Sequence, residues 1–502
     1  MTKEPDEGSL SRLVGWFDSR LGLSHPLLRP VPAFAVNPLY WLGALTVVAF
    51  LIQGITGVIM MLYYVPSPTQ AYTSTQYVFQ SVYYGRFLET IHLYTAYAMI
   101  MLAFMHMMRG YFVSVHKKPR ELMWVTGMAM GFVTLGFGFT GYLLPWTVIS
   151  KSATDVGTGM IAVLPPPIAS FINFLVVGSG GDATTLLRFY DLHVVVLPAA
   201  LLVLLTVKMY MLETHGIAEP EPGRPLTEKE RRTVPIFPDV TLYVLELAAL
   251  FGAGMLLISA AFPLSLPPAY SAQAASQIVA QPDWYFLWMY QLLKIQAFEG
   301  TFTLGGTQVP YLAVALTLVT LLFLALALLP LLDRGTAKRV RSRPVYVTLG
   351  VLLLAELVVL SVWGYYTPGQ QVSNLSAALV LGGTAALVCG GSLGTFRILG
   401  RRAQARSPAA EAPAEDPRSA VLAKAAIVIA LSAAGAFAIG STLQALIQTA
   451  ALGATLDNVA FLGASLACLA TVCYGTVAFV YKTELQQDNV RRRVRLLEGR
   501  GA

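Results

Sequence analysis

Three of the chain's six histidines, His92, His106 and His193, fall inside long apolar runs. An ionisable side chain at membrane depth is costly and marks a functional position by default. His92 and His106 stand fourteen residues apart, and at a rise of ~1.5 Å per residue they lie about 21 Å apart on nearly one helix face. That spacing suits two haems stacked across a membrane, each held by an imidazole. Taken singly, each histidine could equally be a polar side chain hydrogen-bonded between helices. Glycines repeat the interval: Gly43 and Gly57 in one apolar run, Gly127 and Gly141 in another. A flat macrocycle wedged between helices needs backbone positions without side chains. Small-residue helix packing explains one such glycine more easily than a shared interval in three neighbouring segments.

The elements that must carry these residues are membrane spans. The chain has 502 residues, 56 % of them hydrophobic and 12 % charged, with a mean hydropathy of +0.62. A soluble domain needs more charge to cover its surface. Apolar runs long enough to cross a bilayer as helices occur near 39–63, 88–114, 123–146, 186–212, 240–262, 308–332, 345–366, 375–397, 420–448 and 457–481. The expected fold is all-α, with ten transmembrane helices and a four-helix bundle formed by the first four. Basic residues cluster on one side: Lys117, Lys118 and Arg120; Arg224, Lys229, Arg231 and Arg232; Arg334, Lys338, Arg339, Arg341 and Arg343; and Arg401, Arg402, Arg406 and Arg418. The opposite loops carry only Arg86, Lys151, Arg188 and Lys294. The positive-inside rule then puts both termini in the cytoplasm of a prokaryotic cell. The net charge of +7 is explained by these loops, without nucleic acid as a partner.

The domain reading follows the same landmarks. Residues 1–38 hold an N-terminal amphipathic helix on the cytoplasmic surface, with Leu13, Trp16, Phe17 and Leu21 at helical spacing. Residues 39–232 form the di-haem bundle and 233–400 the remaining site helices. A Pro/Ala/charge-rich linker spans 401–419, two further helices 420–482, and a basic tail 483–502. Cys389, Cys468 and Cys473 form no CxxCH or CxxC pattern, so no c-type haem or iron–sulfur cluster is expected on this chain.

The motifs HKKPRELMWVTG (116–127), GYLLPW (141–146), RFYDLHVVVLP (188–198) and PDWYFLWMY (282–290) make the chain similar to the cytochrome b family of cytochrome bc-type complexes, over roughly residues 10–400. The resemblance implies quinol oxidation near the outer face. One electron passes to a Rieske iron–sulfur protein, and from there to cytochrome c or another acceptor. The other crosses through two b haems to a quinone site on the cytoplasmic side, coupled to proton translocation. By position, His92 and His193 would ligate the outer haem and His106 the inner one. Asp283, in Pro282-Asp283-Trp284-Tyr285, replaces the family's glutamate as proton acceptor, with Tyr285, Tyr142 and Tyr290 lining the pocket. The family also implies a homodimer. Trp41 stands where photosynthetic relatives carry a cysteine for an additional haem.

The pattern breaks at the fourth ligand, expected fourteen or fifteen residues beyond His193, where the chain has Val207 and Lys208. A neutral amine can bind iron, but removing its proton at pH 7 costs about 4.6 kcal/mol in water, less in a low-dielectric site. The rival readings are a lysine snorkelling to a propionate or quinone and a five-coordinate haem; Met209 and His215 are poorer ligand candidates. Glu89 stands where relatives have arginine near a propionate, and Arg86, one turn earlier, is the candidate substitute. For the cytoplasmic quinone site the candidates are Arg29, Asn37, Glu213 and His215. Two other classes of function compete: a proton-coupled secondary transporter and a b-haem anchor of a different oxidoreductase. The first should show internal symmetry and broken helices; the second has no need of PDWY and GYLLPW.

Overall fold

The computed structural model describes residues 30–405 apart from 179–180, 221–230 and 280. Eight apolar helices dominate the described residues: α1 (Leu42–Met61), α2 (Gly85–Phe112), α3 (Glu121–Leu143), α4 (Asp182–His215), α5 (Ile236–Ala261), α6 (Tyr311–Ala327), α7 (Pro344–Tyr366) and α8 (Asn374–Ala405). Seven of them are long and apolar enough to cross a membrane, so the protein is an all-α membrane protein. The strands make only two short ribbons, Pro30–Pro32 with Thr233–Pro235 and the hairpin Thr301–Leu304 with Thr307–Pro310. The expected amphipathic helix, the spans at 420–448 and 457–481 and the basic tail lie outside the described residues. The helix α8 continues through Ala405, into the start of the expected linker.

Besides α5, which opens with a π segment over Ile236–Val240, two helices depart from a uniform span, each because of a proline. The sixth span, expected over 308–332, is interrupted at Leu328, and a short turn Leu329–Leu332 follows. Pro330 lies in that turn, has no N–H to donate and restricts the residue before it. In α4 the backbone widens into a π turn over Leu192–Val196. Pro198 cannot donate to the carbonyl four residues back and its ring crowds that position. A π turn, with one residue more per turn than the α-helix, accommodates it. His193 sits inside that turn.

The first four helices pack in sequence, α1 along α2, α2 on α3 and α3 on α4, with α5 against α1 and α2. The α1 helix is apolar all round, so small and polar positions decide its packing. Its buried residues are Leu42, Ala49 and Thr56, seven apart on one stripe. At mid-height Ala49, Met99 and Leu201 form a buried cluster, flanked by Phe50, Met130, Val133, Phe137 and Phe251.

Beyond the end of α2 that carries His106, the HKKPREL segment is a structural clamp. Lys117 Nζ donates to Asp333 Oδ1 at 2.8 Å, Arg343 Nη2 donates to Asp333 Oδ2 at 2.7 Å, and His116 Nε2 lies 2.9 Å from the same oxygen. All four side chains are buried. Arg120 donates to the carbonyls of His215, Gly216 and Ile217, satisfying the last acceptor of α4 and the two just beyond it. Burial pushes the Asp333 carboxyl up, but hydrogen bonds from Lys117 and His116 and the Arg343 charge outweigh it and hold the group below its ordinary range. Its contribution to stability is therefore present at neutral pH and lost as pH falls through that depressed value. Asp333→Ala leaves buried cations unpaired and is expected to cost about 3–5 kcal/mol. Thermal unfolding of the detergent-solubilised protein should register this as a lowered Tm. An unchanged Tm would exclude a clamp.

Candidate functional site

Two tiers of side chains lie within the bundle, above and below the Ala49–Met99–Leu201 layer. In the first, His92 on α2 faces His193 on α4 with ring centroids 6.4 Å apart and planes at 61°. Two imidazoles bound on opposite sides of one metal at about 2 Å each stand with centroids roughly 6 Å apart. The tautomers follow from donor accounting. Thr56 Oγ1 has one proton, given to the carbonyl of Ile52 at 2.7 Å, and lies 2.7 Å from His92 Nδ1. With its proton on that carbonyl, the hydroxyl accepts from an Nδ1–H. Thr140 repeats this, donating to Gly136 O at 2.8 Å and accepting from His193 Nδ1 at 3.0 Å. Both histidines thus keep Nε2 as the lone-pair nitrogen, the state a metal ligand requires. Gln53 Nε2 holds the His92 carbonyl at 2.5 Å.

The four glycines singled out by spacing each meet one ligand candidate. A Cβ on Gly57 would lie 3.5 Å from the His92 ring, and one on Gly141 only 2.6 Å from the His193 ring. In the second tier a Cβ on Gly43 would lie 3.2 Å from the His106 ring, and one on Gly127 2.9 Å from Lys208 Nζ. Position fifteen after His193 faces inward because the π turn absorbs one residue. Val207, at position fourteen, is turned outward and is 44 % exposed. His106 Nδ1 is buried and has no hydrogen-bond partner. Arg109, one turn beyond His106, stacks on the Tyr40 ring at 3.8 Å. The residues fit planar iron macrocycles in both tiers: imidazoles with free Nε2 atoms in the first, an imidazole and an amine in the second, and backbone without side chains beside each.

A carboxylate site lies beside the first tier. Tyr97 Oη donates to Asp283 Oδ1 at 2.7 Å and Tyr285 Oη to Oδ2 at 3.1 Å. Burial pushes the Asp283 carboxyl up to about 6, against the opposing pull of those two hydrogen bonds. The same burial, together with the neighbouring carboxylate, raises the Tyr285 phenol well above its ordinary value, so it remains a donor. Gly138 makes room for this group, since a Cβ there would stand 2.9 Å from the Tyr285 hydroxyl. Tyr142 reaches the carbonyl of Gln281, two residues from Asp283, at 3.4 Å. Tyr290 is held elsewhere: its hydroxyl accepts from Gly369 N–H at 2.8 Å, and Lys294 Nζ lies 4.5 Å from its ring centre. Arg86 donates to the carbonyls of Leu264 and Pro263, pinning the loop after α5 to the start of α2. Tyr94 does the same through Phe262 O at 2.8 Å. Tyr97 and the two threonines were not among the residues singled out by the sequence. Each threonine directly precedes a spaced glycine, which is the signal that could have found them.

Of the second quinone-site candidates, Asn37 uses its side-chain oxygen to cap Leu39 N at 3.0 Å. His215 turns Nδ1 back onto Met211 O at 3.0 Å and lines a largely apolar cavity of about 500 Å³ with Leu122, Tyr210 and Thr214. Arg29 lies outside the described residues. Among those residues no cluster of three or more His, Cys, Asp or Glu could hold a bare metal ion.

Comparison with known proteins bears on these sites. Residues 97–273 match a family model described as cytochrome b (N-terminal)/b6/petB, and residues 268–381 one described as cytochrome b (C-terminal)/b6/petD. The chain is 32 % identical over 357 residues to the cytochrome bc complex cytochrome b subunit of Chlorobaculum thiosulfatiphilum, covering 69 % of this chain and 79 % of that one. It is 31 % identical over 408 residues to a cytochrome b of Sulfolobus acidocaldarius, covering 75 % of this chain and 70 % of the relative. A solved structure described as a hyperthermophilic respiratory Complex III superposes with a TM-score of 0.59 at 25 % identity, covering 77 % of this chain and 98 % of that chain.

Proposed function

From the premise that this chain belongs to the cytochrome b family, whose members bind b-type haem in electron-transfer complexes, we propose that it is the di-haem subunit of a quinol-oxidising membrane complex. The observation that carries the reading is the pairing of Gly57, Gly141, Gly43 and Gly127 with His92, His193, His106 and Lys208 in two tiers. His92 and His193 hold the outer haem, His106 and Lys208 the inner one. Bound haem supplies reversible one-electron transfer; the protein supplies position and potential. Ala49, Met99, Leu201 and Phe137 keep the intervening layer apolar. Asp283, ionised at neutral pH and clasped by two phenols, takes the proton of a bound quinol hydroxyl, with Tyr285 and Tyr142 lining the pocket. One electron of the quinol would leave to a Rieske-type partner, and haems held by the two tiers would supply the one-electron chemistry for the other, toward a cytoplasmic-side quinone site near His215. In this reading both termini face the cytoplasm, the complex is a homodimer, and quinol oxidation is coupled to proton translocation. The two spans expected over 420–482 would serve packing or partner binding.

A reduced-minus-oxidised spectrum with pyridine haemochrome quantification is expected to give two b haems per chain and no c haem. Gly141→Ala, whose Cβ overlaps the His193 ring, is expected to halve that count. A wild-type count of zero would end this reading.

A further inference from the structure

The two histidine tiers differ in one respect that the ligands themselves do not explain. On the outer tier both imidazoles donate Nδ1–H to a threonine hydroxyl whose own proton is committed to a backbone carbonyl, Ile52 O or Gly136 O. Thr56 and Thr140 are both buried, so neither bond competes with water. On the inner tier the residue fourteen before Thr56 is Leu42, and His106 Nδ1 has no partner. A hydrogen bond accepted from Nδ1–H moves electron density toward Nε2 and makes the imidazole a stronger donor to iron. A stronger donor stabilises the ferric over the ferrous state and lowers the reduction potential.

We propose that Thr56 and Thr140 are positioning residues that lower the potential of the outer haem through Nδ1 of His92 and His193, and so help make electron transfer from the outer to the inner tier downhill. The proposal rests on the di-haem reading above. The threonines touch neither haem nor quinol and act through the histidines. Their position also explains why each directly precedes a spaced glycine: one residue faces the ring edge while the next leaves room for its face.

Redox titration of the purified complex, following each b haem separately, tests it. Thr56→Val keeps the shape and removes the acceptor. It is expected to raise the outer-haem potential enough to change the oxidised-to-reduced ratio at a fixed potential by about three- to tenfold, tenfold corresponding to about 59 mV for a one-electron couple. Thr140→Val should shift the same haem in the same direction, and the inner-haem potential should stay in place. Thr56→Ser keeps the hydroxyl and should behave as wild type, which also covers a Val variant that fails to assemble. An unchanged outer-haem potential in both Val variants, or a Ser variant displaced as far as Val, overturns the proposal. Loss of the two-haem count in the wild type would instead overturn the di-haem reading, so the two failures are distinguishable.

Discussion

Asp283→Asn is expected to lower quinol-oxidising turnover by about 10²–10⁴-fold, with both haem spectra unchanged. The amide keeps the volume, and its one oxygen can still accept from one of the two hydroxyls that meet the carboxylate, while its NH2 donates to the oxygen of the other, so the pocket should keep its shape while losing its proton acceptor. Asp283→Glu restores a carboxylate one methylene longer and should recover much of the rate. The wild-type pH profile adds a second check. With the carboxyl at about 6, the ionised base is depleted below that value, so the rate should rise with pH through about 6 and level off above it. In Asp283→Asn that limb should disappear. A variant with wild-type turnover would show that another group takes the proton, and the assignment of Asp283 would fail.

Most of the haem-facing half of the site was legible because an α-helix is a rigid ruler. Fourteen residues are nearly four whole turns, so His92 with His106, and Gly43 with Gly57, must share a face. Gly43 lies against the His106 ring and Gly57 against the His92 ring. The interval of fifteen between His193 and Lys208 was not readable in those terms. It depends on the π turn over Leu192–Val196, and periodicity arithmetic assumes a uniform helix. The carboxylate half was legible only through motif resemblance. Tyr97 meets Asp283 across 186 positions of sequence, and no local pattern announces a contact that only the packing of α2 against the loop after α5 creates. The positions of Arg86 and Tyr290 show the same limit from the other side. A residue's place along a helix is readable, but the carbonyls that capture its side chain, here those of Leu264 and Pro263 for Arg86, belong to loops. The HKKPREL motif marks the family in the sequence, and its structural role shows only in the fold. Its buried residues hold the chain's two halves together through Asp333 and Arg343.

Lys208→Ala is expected to convert the inner haem alone from low-spin to high-spin in low-temperature EPR, leaving the outer haem signal in place. Lys208 Nζ points at Gly127, the glycine of the inner tier, and a Cβ there would stand 2.9 Å from it. Binding iron requires the neutral amine, whose proton costs about 4.6 kcal/mol to remove in water at pH 7. Metal coordination competes directly with that proton and releases it. The alternative role, a cation paired with a propionate, predicts a different pattern, and Lys208→Arg separates the two. Arginine keeps the charge but cannot be deprotonated and offers no lone pair. If Lys208 is a ligand, the Arg and Ala variants should both give a high-spin inner haem, and near-infrared magnetic circular dichroism of the wild type should carry an amine–imidazole rather than a bis-imidazole band. If Lys208 is a counter-charge, the Arg variant should keep the wild-type spectrum, and lysine ligation would be ruled out. Gly127→Ala supplies an independent handle. It leaves both ligand side chains in the sequence but crowds Nζ, so under ligation it should partly mimic Lys208→Ala. Under simple charge pairing a flexible ammonium would step aside and the inner haem spectrum would stay as it was.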